Sequence, residues 1–116
     1  MTGKKKVGQS LDILWSDRAK DDLAAIGDYI ATDNPRAAMQ WVDKLISDVE
    51  RAAAMPLAGR IVPEYADRRD MREVFRRTYR IVYRVRDEAI EVLTIFEGHR
   101  LFPEEVIPDS DNEAAV

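Results

Sequence analysis

The stretch Tyr79-Arg80-Ile81-Val82-Tyr83-Arg84-Val85 has the residue types and spacing to do chemistry. Read as a strand, it puts Tyr79, Ile81, Tyr83 and Val85 on one face and Arg80, Val82 and Arg84 on the other. Guanidinium groups carried on strand backbone meet carboxylates or phosphates with fixed geometry. A following strand closes on Glu97-Gly98-His99-Arg100, which adds the one histidine and another arginine. Cutting RNA through its 2′-hydroxyl needs a base, an acid and cations for the developing phosphorane charge, and Arg80, Glu97, His99 and Arg100 are residues of those types. Arg60, Arg72 and Tyr79 extend the constellation. The plainer assignments are a His99 that caps a strand end and arginines paired with Glu73, Glu91 or Glu97.

Other chemistries find little support. With one histidine and no cysteine, neither a metal nor a cofactor is expected. Asp21-Asp22 and Glu104-Glu105 are neighbours that face different ways, as solvated surface does. The five glycines are scattered singly, so there is no phosphate-cradling loop. Nor does any context support Ser-His-Asp catalysis. A net charge of −4 argues against nonspecific coating of nucleic acid. That charge is uneven: residues 60–102 hold ten arginines against eight acids, and residues 103–116 hold five acids and no base. A local basic surface on the second half is therefore compatible with an acidic whole.

These residues must be positioned by a small set of elements. At 116 residues, 46% of them hydrophobic, the chain is long enough for one domain with its own core. Leu11 to Trp15 reads as a short strand. Ser16 or Asp17 then caps a helix whose Ala19, Leu23, Ile26 and Ile30 make one apolar stripe. Asn34 can cap a second helix with Pro35 at its first position. That helix carries Ala38, Trp41, Val42, Leu45, Ile46, Val49 and Ala52 as a broad stripe. Residues 60–70 read as a loop, Met71–Phe75 as a strand, Arg76-Arg77-Thr78 as a turn and Ala89–Phe96 as the last strand. The fold class expected is α+β in the order β-α-α-β-β-β, a helical hairpin packed on a small antiparallel sheet. Residues 1–10 are expected to be a flexible N-terminal segment, 11–102 the domain, and 103–116 an acidic tail with little to bury.

Tyr29, Met39 and Trp41 exceed what two short helices need to cover a sheet. Together with Leu45 they would suit a groove for a foreign amphipathic helix. The absence of cysteine fits a reducing cytoplasm, and no segment approaches the apolar length of a membrane helix.

Taken in order, Ser16 to Leu23, Ile26-Gly27-Asp28-Tyr29-Ile30, Asn34 to Ala38, Met55-Pro56-Leu57-Ala58-Gly59-Arg60, Met71-Arg72-Glu73, Tyr79 to Val85 and Gly98-His99-Arg100 resemble ParE-type toxins of the RelE/ParE superfamily. The resemblance spans about residues 11–102 and implies the RelE/ParE toxin fold. It implies a toxin of a type II toxin–antitoxin module, silenced by a ParD-like ribbon-helix-helix antitoxin. The ParE branch implies inhibition of DNA gyrase by binding; the RelE branch implies ribosome-dependent mRNA cleavage, with Arg80 at the scissile phosphate and His99 and Arg100 at late catalytic positions. The chain is acidic, has no tyrosine after Tyr83, and carries Glu97 where ParE members often have histidine. These features fit the non-nuclease branch; a non-toxic antitoxin-binding member is a third alternative. On this reading Tyr29, Trp41, Leu45, Arg60, Arg72, Arg80, Arg84 and Arg100 are the partner-binding residues.

Overall fold

The computed structural model describes residues 9–107, so the expectations for residues 1–8 and 108–116 fall outside it. Strand β1 (Asp12–Trp15) leads into helix α1 (Asp17–Ala31), and helix α2 (Pro35–Ala54) follows after a short turn. Ser16 rather than Asp17 is the cap of α1, and its Oγ accepts from the Ala19 N–H at 3.0 Å. Asn34 Oδ1 accepts from the Ala37 N–H at 3.0 Å, and Pro35 occupies the first turn of α2, where a missing N–H costs nothing.

Strands β2 (Arg60–Ile61), β3 (Met71–Arg76), β4 (Tyr79–Val85) and β5 (Ala89–Glu97) complete the chain. The α+β class and the helical hairpin over one sheet face are as expected, with three differences. The stretch read as a loop contains β2, too short to show any alternation. Arg76 extends β3, and the turn is tightened by Arg77 in the left-handed region at φ 53°. The sheet order is β1-β5-β4-β3-β2, and β1 runs parallel to β5, so the sheet is mixed.

Between β4 and β5, Val82 pairs with Thr94 and Tyr83 with Val92, which leaves Leu93 as an extra residue that bulges β5. Because β1 spans only four residues, the β5 edge would lie bare beyond Val92. Side chains from the α1 region cap it. Ser16 Oγ donates to the Leu93 carbonyl at 3.0 Å, while Asp22 Oδ2 accepts from Thr94 Oγ1 at 2.5 Å and from the Ile95 N–H at 3.1 Å.

Both faces of the sheet are buried. Leu45, Val49 and Ala52 of α2 meet Ile81, Tyr83, Val92 and Ile95 beneath the hairpin. On the other face Val62, Met71, Val82, Leu93 and Phe96 are covered by Tyr65 and by the segment Phe102–Ile107. The beginning of the acidic tail therefore does bury something: Val106 is only 3% exposed. Gly59 is fixed by close approach, since a Cβ there would lie 2.4 Å from Tyr83 Oη, whose hydroxyl donates to the Pro56 carbonyl at 2.7 Å.

Leu45 is fully buried and belongs to this core, not to a docking surface. Leu45→Ala should cost about 2–5 kcal/mol of stability through lost contacts and a residual cavity. A lowered urea midpoint at unchanged slope is the expected result.

Candidate functional site

The arginines that the alternation assigns to a partner-facing surface do not all reach it. Arg80 is 6% and Arg84 5% exposed. Arg80 sends Nε to Glu73 Oε1 at 2.7 Å and grips both oxygens of Glu64 at 2.9 and 2.7 Å. Its guanidinium lies over the rings of Phe96 and Phe102, 5.1 and 5.4 Å from their centroids. Arg84 pairs with Glu91, which also takes Arg86 at 3.2 Å. Arg80 and Arg84 are thus corrected from partner-binding to internal ion pairing, with Glu73 and Glu91 among the partners weighed from sequence. The physical reason is the second core: once that sheet face is covered, a guanidinium on it must be matched by an internal carboxylate.

Arg60 and Arg72 remain at the surface. Arg60 is bound through Nε to Glu73 Oε2 at 2.6 Å and lies 4.9 Å over the Phe75 ring. Among the described residues Arg72 reaches no carboxylate, and it bonds to the carbonyls of Arg69, Leu57 and Gly59 at 2.8, 3.3 and 3.1 Å.

The candidate nuclease residues fall apart in space. Residues paired across antiparallel strands share a face, so Arg80 lies with Phe96 and Glu97 lies with Tyr79 on the opposite side. His99 and Arg100 follow in an exposed turn, where His99 Nδ1 stands 3.7 Å from Glu97 Oε2. Glu97 and Arg100 instead meet Tyr29 and Tyr79 in a cleft of about 390 Å³ between α1 and the end of β5, floored by Ala25, Ile26 and Ile95. Burial pushes the Tyr79 phenol up, and Glu97 adds to the effect. Tyr29 is 78% exposed and stands at the rim.

Trp41 turns inward, partly buried against the main core and edge-on to Tyr79 at 6.1 Å between ring centroids. The outer face of the hairpin is formed by other residues. Gly27 and Ala31 of α1 with Pro35, Ala38, Met39 and Val42 of α2 line an apolar groove of about 420 Å³, bordered by Asp28 and Asp43. Apart from Met39, these were missed as binding residues. The available signal was the four-residue spacing of Gly27 and Ala31 along the border of the α1 stripe, and the placing of Ala38 and Val42 at the edge of the α2 stripe.

With this geometry in view, comparison with known proteins is decisive for family. The sequence profile described as ParE toxin of the type II toxin–antitoxin system parDE matches residues 13–102. The chain belongs to the ParE toxin family. Among solved structures it is similar to the chromosomal ParDE toxin–antitoxin system of P. aeruginosa, at 23% identity and a TM-score of 0.63, covering 76% of this chain and 96% of that one. It is also similar to the RelBE2 toxin–antitoxin complex of Mycobacterium tuberculosis, at 20% identity and a TM-score of 0.53, covering 77% of this chain and 99% of that one. At these identities the likeness shows the shared fold, two helices on a five-stranded sheet. A comparison with curated proteins found no match. Among the described residues no helix is long and apolar enough to cross a membrane.

The Arg80 guanidinium beside Glu64 holds its carboxyl below the usual range, and Arg68 does the same to Asp70. In the unfolded chain such carboxyls titrate near pH ~4. Their stabilisation is therefore complete above that value and lost as pH falls through the depressed folded values. Urea midpoints should be flat from neutral pH down to about pH 5 and fall below about pH 4. In Glu64→Gln the acid-side slope should be shallower.

Proposed function

We propose that this ParE-family chain is a toxin that acts by binding, with DNA gyrase as its target, and that a ParD-like ribbon-helix-helix antitoxin holds it silent. The observation that carries this reading is the sequestration of Arg80. Internal carboxylates saturate it on one sheet face, while Glu97 sits on the other. General acid–base cleavage needs its groups within hydrogen-bond reach of one substrate atom, and this arrangement keeps them apart. The open surfaces are of a different kind: an apolar groove on the hairpin and a cleft with an exposed tyrosine at its rim.

The antitoxin is assigned to the hairpin groove. A foreign helix could lay apolar residues at helical spacing against Ala31, Met39 and Val42, in a groove whose two walls are so close that a Cβ at Gly27 would stand 3.1 Å from Val42 Cγ2. Tyr29 and Arg100, at the neighbouring cleft, are assigned to contact with the target. Likeness to toxin–antitoxin complexes of P. aeruginosa and M. tuberculosis supports an antitoxin partner.

Induction of the chain alone in a bacterial host should arrest growth, trigger the DNA-damage response and leave translated mRNA intact by primer extension. Co-expression of the cognate antitoxin should relieve the arrest, and Met39→Asp should weaken that relief by tenfold or more in antitoxin dose, about 1.4 kcal/mol. Codon-phased mRNA cuts that vanish in His99→Ala would replace the binding mechanism with cleavage. Unimpaired growth at high expression would point to a non-toxic antitoxin-binding member.

A further inference from the structure

The three antiparallel strands β3 to β5 carry three glutamates, and two of them are fully engaged. Glu73 of β3 holds Arg60 and Arg80, and Glu91 of β5 holds Arg84 and Arg86. Glu97, the last residue of β5, holds no arginine among the described residues. The basic group beside it is His99 Nδ1, at 3.7 Å, which is beyond hydrogen-bond reach and charged only when protonated. The Glu97 side chain is 34% exposed, so it has lost most of its water without gaining a donor. A carboxylate in that condition is poised for a cation.

The surroundings of Glu97 say which cation. Its register partner Tyr79 shares its face, and in the cleft of about 390 Å³ the two meet Tyr29 and Asp22 above Ala25, Ile26 and Ile95. Asp22 binds Thr94 and the Ile95 N–H through Oδ2 alone, and its Oδ1 makes no hydrogen bond among the described residues. Arg100 stands at the rim, but the cleft remains acidic. Burial does most to raise the Tyr79 phenol, and Glu97 adds to the rise more than Arg100 opposes it. The other sheet face shows what this fold does with the same parts. There the Arg80 guanidinium lies over the rings of Phe96 and Phe102 while Glu73 and Glu64 take its N–H groups. Rings and carboxylates recur in the Tyr29 cleft, with no arginine of this chain drawn onto Glu97.

We propose that this cleft receives an arginine side chain of the target protein. Its guanidinium pairs with Glu97, its methylene stem lies on Ala25, Ile26 and Ile95, and the Tyr29 ring closes over it. A basic ligand follows from the two carboxylates that line the cleft against a single guanidinium. Arginine rather than lysine follows from the tyrosines. A planar, weakly hydrated guanidinium stacks on rings and grips a carboxylate with two N–H groups, whereas an ammonium holds its water. The inference rests on the assignment of this cleft to target contact, and adds which side chain the target must offer.

The chemistry is tested by NMR titration of the ¹⁵N-labelled full chain with acetyl-Gly-Arg-Gly-amide, beside the lysine, citrulline and glutamate versions of that peptide. The arginine peptide should shift the amides of Ala25, Ile26, Tyr29, Ile95 and Glu97 in a saturable way. The lysine peptide should bind several-fold more weakly, and the citrulline and glutamate peptides should leave those amides unmoved. Glu97→Gln, which keeps the shape and removes the charge, should weaken the arginine peptide about tenfold. Tyr29→Ala, at the exposed rim, should weaken it several-fold with the spectrum otherwise preserved. Equal binding of the lysine or citrulline peptide, binding of the glutamate peptide through Arg100, or unchanged affinity in both variants would overturn the proposal. Growth arrest on induction tests where the arginine comes from, and Glu97→Gln should blunt it. Arrest undiminished in Glu97→Gln but lost in Tyr29→Ala would overturn the arginine and leave the cleft as the target contact. Arrest undiminished in both would overturn the two together.

Discussion

A carboxylate with almost no solvent contact sits in the middle of β3, and much of the second sheet face is arranged around it. Glu73 is 1% exposed and takes the Nε of both Arg60 and Arg80. Arg80 in turn clasps Glu64, so two carboxylates and two guanidinium groups form one chain of charge-assisted bonds. Its two buried members depend on each other, because removing Arg80 or Glu73 strands a desolvated charge at a cost of roughly 3–5 kcal/mol. It ties β2, β3, β4 and the Pro63–Tyr65 turn together, and the rings of Phe96 and Phe102 close over it.

That constraint decides where function can reside. A face whose cations are spoken for by internal acids cannot also grip a phosphate without dismantling its own core. What remains open is the periphery: the outer groove of the hairpin and the Tyr29 cleft at the end of β5. Both suit protein surfaces better than small substrates, in keeping with a family of toxins that belong to two-component modules. Covering both sheet faces also explains how so short a chain holds a mixed sheet together. The hairpin buries one side, while the segment Phe102–Ile107 and the Val62–Tyr65 region bury the other.

Much of this architecture was legible in the residues. Ser16 and Asn34 announce their helices because a side-chain oxygen satisfies an N–H that the first turn leaves orphaned. The alternation from Tyr79 to Val85 matches β4 residue for residue, since period two leaves one register once a face is buried. β2 was not legible, because two residues carry no period and form a strand only where β3 offers partners. The parallel pairing of β1 with β5 was equally hidden, being a contact across more than seventy residues of chain.

Candidate site residues divided along the same line. Sequence by itself determined residue types and faces: which side of β4 carries arginine, which helical stripe is apolar, and where chain reversals fall. Those are local properties, set by backbone geometry and side-chain chemistry within a few residues. Only the tertiary structure decided whether a given face meets water, because that depends on what returns from far along the chain to cover it. Phe102 closes over Arg80, Val106 joins the core on the same sheet face, Glu91 meets Arg84 across a ladder, and Leu45 sinks into the core while Tyr29 on the neighbouring helix stays out.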